Sequence, residues 1–136
     1  MFLDHLSPRE KEGFLELALL AIRADNVVTD EEVQLVEELR LELGMSEDHF
    51  VAAVKRTPSF ERAIAAFTTK EAKRRAFLEL VTLTFVDGEY DPGENAFLVK
   101  SQHALEINEV IRDRCFAWAL QMVKLRDEAL AIMVDE

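Results

Sequence analysis

A short acidic pattern occurs twice in the chain and does most to narrow its fold: Ala24-Asp25-Asn26-Val27-Val28-Thr29-Asp30-Glu31-Glu32, then Val86-Asp87-Gly88-Glu89-Tyr90-Asp91-Pro92-Gly93-Glu94. Each copy follows a long apolar stretch and precedes an acidic one, so each reads as the turn between two helices. The copies are 62 positions apart, and the same offset aligns Leu35 with Phe97, Val36 with Leu98, Leu43 with Leu105 and Met45 with Ile107. A chain that repeats a turn together with its flanking apolar register reads as a degenerate internal duplication of one helical unit.

Helix starts are written out locally. Ser7-Pro8-Arg9-Glu10 places a serine cap, a proline at the first helical position and a glutamate able to reach back to the cap amide. The helix it opens should run from Pro8 to about Asp25. Between Phe14 and Ala24 only Glu16 and Arg23 are polar, which predicts a central helix buried on most sides. A second box, Thr29 to Glu32, opens a helix ending near Gly44, and Ser46 can cap a shorter one. Thr57-Pro58 should break the chain and restart a short helix through Phe67. The box Thr68-Thr69-Lys70-Glu71 opens a long helix to about Val86, Asp91-Pro92-Gly93-Glu94 opens another to near Ile107, and Asn108 caps the last. In that last helix Ile111, Cys115, Trp118, Met122, Leu125, Ala129 and Ile132 alternate in steps of four and three, an a/d seam. It can pack along its own core or pair with a second copy as a homodimer through residues 109–134.

No stretch alternates in a way that helical spacing does not explain better, so the expectation is an all-α bundle of six to seven helices. With no linker in sight, residues 1–136 read as a single domain. At 136 residues, 49% of them apolar, the chain has enough core material to fold without a staple. Cys115 is the sole cysteine, which excludes an internal disulfide and a cysteine-based zinc site, and its apolar neighbours predict a buried inert thiol. No basic region precedes an apolar run at the N-terminus. The longest apolar run, Leu17 to Ile22, is far short of the roughly 20 residues needed to cross a bilayer, so a cytoplasmic protein is expected.

Charge narrows the partners. A net charge of −11 disfavours nucleic acid and favours cations or a basic protein face. Residues 25–48 are strongly acidic, whereas residues 55–75 carry seven bases against Glu61 and Glu71, so the folded surface should have opposite poles. Lys70, Lys73 and Arg74 share one helical face, which either pairs with acidic loops or binds phosphate or anionic lipid.

The acidic turns are where chemistry could reside. Asp25, Asp30 and Glu32 fall close in the first copy, and Asp87, Glu89, Asp91 and Glu94 put four carboxylates within eight positions in the second. Crowded carboxylates raise one another's pKa unless a cation neutralises them, and hard cations choose oxygen ligands. Capping and the helix dipole explain Asp30, Glu32 and Asp91 equally well. They do not explain Asp25 and Asp87, which the dipole opposes at a helix C-terminus. An EF-hand loop begun at Asp87 puts Pro92 where glycine is required and Leu98 where a bidentate glutamate is required, so that reading fails. His5, His49 and His103 are isolated, and neither a GxSxG elbow nor a glycine-rich phosphate loop is present, so no enzyme is expected.

At these two turns the chain resembles the TerB-like family, a small all-helical domain linked to tellurite resistance and found at the front of some membrane-anchored J-domain co-chaperones. The likeness rests on an apolar helix ending in Ala-Asp-Gly or similar, a short acidic turn, and a glutamate seven residues after the aspartate, and it covers roughly Phe14 to Ile107. It implies a bundle whose two halves are related by a pseudo-twofold and a divalent-cation site held by Asp25 and Glu32 in one half and Asp87 and Glu94 in the other; the crowding of the acidic turns adds Asp30, Glu89 and Asp91 as weaker ligands. The ion would be calcium, magnesium, manganese or zinc. Asn26 stands where the family has glycine, and Val27 where the second copy has Glu89, so the first half-site is poorer in charge. The expectation is a non-enzymatic module that contacts another protein, with a place near a membrane surface compatible with it. The alternative is an interaction or oligomerisation scaffold whose acids only cap helices. No role toward tellurite is inferred.

Overall fold

The computed structural model describes residues 2–22, 30–86 and 92–134. Among the described residues a 3-10 turn at Leu3–His5 is followed by seven α-helices: α1 Pro8–Ile22, α2 Asp30–Leu43, α3 Glu47–Lys55, α4 Phe60–Ala65, α5 Lys70–Val86, α6 Pro92–Ala104 and α7 Glu109–Val134. No strand occurs among the described residues. The all-α bundle expected from the sequence is what forms.

The first cap is the reciprocal one expected: the Ser7 amide donates to Glu10 Oε1 at 2.8 Å and the Glu10 amide donates to Ser7 Oγ at 3.2 Å. Ser46 and Asn108 also cap as read, accepting from the amides of His49 and Ile111. One start differs. Thr69, not Thr68, accepts from the Ala72 amide, so Glu71 is one position too early to close a box. Adjacent threonines offered competing caps, and the hydroxyl three residues before a free helical amide took the bond. The break expected at Thr57-Pro58 falls between α3 and α4, and the Ser59 hydroxyl caps α4 by accepting from the Arg62 amide.

The hub is α5, which packs on α7, α1 and α6, while α1 packs on α4 and α2. Ala76, Phe77, Leu80 and Val81 on α5 and Phe14, Leu15, Leu17 and Ala18 on α1 are buried together. Both helices are therefore enclosed on most sides, as their apolar content predicts. Aromatic edges tie the outer helices on: Phe60 of α4 meets Phe97 of α6 at 6.0 Å, and Phe85 of α5 meets Phe116 of α7 at 5.4 Å.

The offset of 62 holds in the bonding as well as in the letters. The caps Ser7 and Thr69 are 62 apart, as are Ser46 and Asn108. Helix α2 ends with the Gly44 amide on Leu41 O and the Met45 amide on Arg40 O; α6 ends with the Glu106 amide on His103 O and the Ile107 amide on Gln102 O. Each is a left-handed helix stop, with φ +67° at Gly44 and +58° at Glu106. Even the side-chain brace recurs, since Arg40 donates to Met45 O at 3.3 Å and Gln102 to Ile107 O at 3.1 Å. Glycine adopts that conformation freely, whereas Glu106 is held in it by the bonds around it.

Helix α7 departs from the reading in which its whole seam packs on its own core. Cys115 and Ala119 are buried and Ile111, Trp118 and Met122 half-buried, but Leu125 is 62% exposed, Ile132 76% and Met133 77%. From Lys124 to Val134 every described residue of α7 is exposed, so the described part of the bundle packs on this helix only as far as Val123.

Candidate functional site

Of the predicted ligands, Asp25, Asp87, Glu89 and Asp91 lie outside the described residues. Asp30 and Glu32 belong to the first turn of α2, and Glu94 to that of α6. Among the described residues no three His, Cys, Asp or Glu side chains converge in a way that could hold a metal ion.

What the structure does assemble around a carboxylate is centred on Glu16, which sequence reasoning passed over. Its side chain is only 8% exposed on α1, and Oε1 accepts from Arg56 at 2.6 Å and from Arg62 Nε at 2.9 Å. The Ser59 amide donates to Oε2 at 3.2 Å. Burial pushes the Glu16 carboxyl up, but the hydrogen bonds from Arg62, the Ser59 amide and Arg56 outweigh it, and the group stays below the usual carboxylate range. Arg62 also donates to Thr57 O at 3.0 Å. One carboxylate thus fixes the α3–α4 connection against α1. The signal was present: Glu16 is the only acid in the apolar run from Phe14 to Ala24.

The basic pole divides into two parts. Lys73 pairs with Glu106 at 3.1 Å, so one of the face-sharing bases is paired to a turn as expected, though to the α6–α7 turn. Arg74 and Arg75 instead edge a cavity between α5 and α7 that Arg114 also borders. Cys115 forms part of its floor. Burial raises the Cys115 thiol, against the opposing pull of Arg114 and Arg74, which keeps it a thiol at neutral pH, in line with the inert cysteine expected. Nothing in the sequence near Arg114 marks it as a partner of Arg74, because the two are brought together only when α7 lies on α5.

The exposed end of α7 is the other candidate surface. From Leu120 to Val134 it carries Leu125, Leu130, Ile132, Met133 and Val134 in the open, and its charges, Lys124 and Arg126 against Asp127 and Glu128, cancel. No helix of the described residues is long and apolar enough to cross a membrane.

A protein-family model described as "Tellurite resistance protein TerB" matches residues 11–116. No curated protein and no solved structure gives a significant match.

Proposed function

The chain belongs to the TerB family, and on that premise we propose that it is a non-enzymatic helical module that works by association, pairing with a second copy of itself through the far half of α7. The observation that carries this reading is the a/d register that runs on from half-buried Met122 through Leu125, Ala129 and Ile132, in a stretch of α7 whose described residues are all exposed. Burying such residues against like partners is favourable by about 25 cal/mol per Å² of apolar surface. A chain of net charge −11 would ordinarily repel its own copy, but this segment is locally neutral, so the repulsion is weakest where the seam lies. Two heptads make a short coiled coil, and the association should be weak and concentration-dependent.

Sedimentation velocity over a concentration series tests this. The wild type should shift from one chain toward two, and Leu125→Glu with Ile132→Glu should hold it at one chain with unchanged helicity, because both positions are exposed in the monomer. A wild type that stays at one chain up to several hundred micromolar rules out self-pairing.

A second reading adds a divalent cation (calcium, magnesium, manganese or zinc) at Asp25, Glu32, Asp87 and Glu94. Its support is the repeated acidic turn in the sequence, together with caps and helix stops on both sides that recur at the same offset. Calorimetric titration with the four ions should show binding below millimolar that disappears in the Asp25→Ala, Asp87→Ala double variant. Unchanged binding in that variant sinks the assignment.

A further inference from the structure

The cavity between α5 and α7 is independent of both readings above. It is an open groove of about 530 Å³, within the ~300–1,000 Å³ range of small-molecule sites. Its floor is apolar, formed by Phe2, Leu78, Ile111, Cys115 and Trp118, with the Phe2 and Trp118 rings 5.9 Å apart at one end. Its rim is charged, with Arg74, Arg75 and Arg114 against the single acid Glu71.

Three guanidinium groups bordering an apolar floor match the two ends of an amphiphile with an anionic head. Arg75 reaches His5 O at 3.5 Å, but among the described residues neither Arg74 nor Arg114 donates to any acceptor. Glu71, on the same rim, pairs with none of the three. Arg74 is half-buried, its stem against the protein and its guanidinium left to solvent or a ligand. Both Arg74 and Arg114 act electrostatically on the Cys115 thiol, which brings the two positive charges to bear on the floor itself. Within a chain of net charge −11 the cavity is a local positive site, and screening over about 8 Å at physiological salt confines the distant repulsion.

We propose that this cavity binds a single-chain amphiphile with an anionic head, of the long-chain carboxylate class, its chain on Leu78, Ile111 and Trp118 and its head between Arg74 and Arg114. A guanidinium fork matches a carboxylate or phosphate in two parallel hydrogen bonds, which neither a hydroxyl nor a cationic head can reproduce. The apolar floor supplies the remainder by removing the chain from water.

Trp118 is the only tryptophan, so its fluorescence reports on the cavity without labelling. The full chain is titrated with dodecanoate below its micelle concentration, in parallel with dodecyl phosphate, dodecanol and inorganic phosphate. Saturable dodecanoate binding is expected, at least tenfold tighter than dodecanol, with no response to inorganic phosphate. Binding should weaken at least tenfold in Arg74→Gln, Arg114→Gln, whose helicity is checked by circular dichroism. Should that double variant misfold, Arg114→Gln alone serves, since Arg114 is exposed and braces nothing among the described residues. Equal binding of dodecanol, or indifference to the arginine substitutions, overturns the proposal. A tenfold preference for dodecyl phosphate overturns the carboxylate assignment. Loss of dodecanoate binding in Leu125→Glu also overturns it, because the chain would then be sitting on the open end of α7.

Discussion

Glu16→Ala should lower the unfolding free energy by about 3 kcal/mol, a fall of roughly 10 °C in Tm for a chain of this size. Three donors converge on this carboxylate, and it is the best-buried charge in the bundle for which a full set of partners is seen. Breaking a fully buried ion pair costs more, but Arg56 and Arg62 are about half exposed and can return to water, which places the loss near the low end of that range. Glu16→Gln keeps the volume and one acceptor and should lose about 1–2 kcal/mol. The pH dependence has a definite sign. Because the folded carboxyl titrates below its ordinary value, the unfolded chain takes up the proton first as pH falls, and stability rises with pH through that window. The gap between wild type and Glu16→Gln should therefore be constant from pH 7 to about 5 and close as the pH drops below about 4. Urea denaturation at four pH values measures it; a gap that widens in acid contradicts the assignment.

The second large effect is expected at Gly13, where α1 crosses α4. A Cβ placed there would lie 2.8 Å from Ala66 Cβ, 3.0 Å from Ala63 O and 3.3 Å from the Phe67 ring. The first two atoms are fixed by backbone and cannot swing aside, so the helices must separate. Gly13→Ala should destabilise even though alanine is the better helix former by about 1 kcal/mol, because overpacking a closed contact costs about 1–3 kcal/mol. Gly13→Val, with two further carbons and a restricted χ1, should lose about 3 kcal/mol and sharply reduce soluble yield. Thermal melts of both variants check the order. A Gly13→Ala protein more stable than wild type would mean that the contact between α1 and α4 is looser than the structure has it.

Much of the architecture was legible because it is locally encoded. The Ser7–Glu10 box, the Ser46 and Asn108 caps and the glycine stop at Gly44 each act within a few residues, so their spacing in the chain is their spacing in space. The misplaced start was local too: at Thr68-Thr69 adjacent residues offered alternative caps, and only the backbone path decided between them. The second helix stop was invisible as such, since Glu106 carries no preference for a positive φ. Of the candidate cation ligands the sequence supplied the whole list, through the repeat and the family resemblance, and the family match over residues 11–116 bears out the resemblance.

The sequence by itself determined the helices, their order, the repeat at 62 and the family, because hydrophobic periodicity and capping are properties of neighbouring residues. Tertiary structure alone decided which side chains meet across the bundle. Glu16 finds Arg56 and Arg62 some forty residues away, Gly13 admits α4, and Arg74 and Arg114 come to share one cavity. It also decided that the described residues cover α7 only as far as Val123, because which part of an a/d seam is buried depends on the helices laid against it and on nothing within α7.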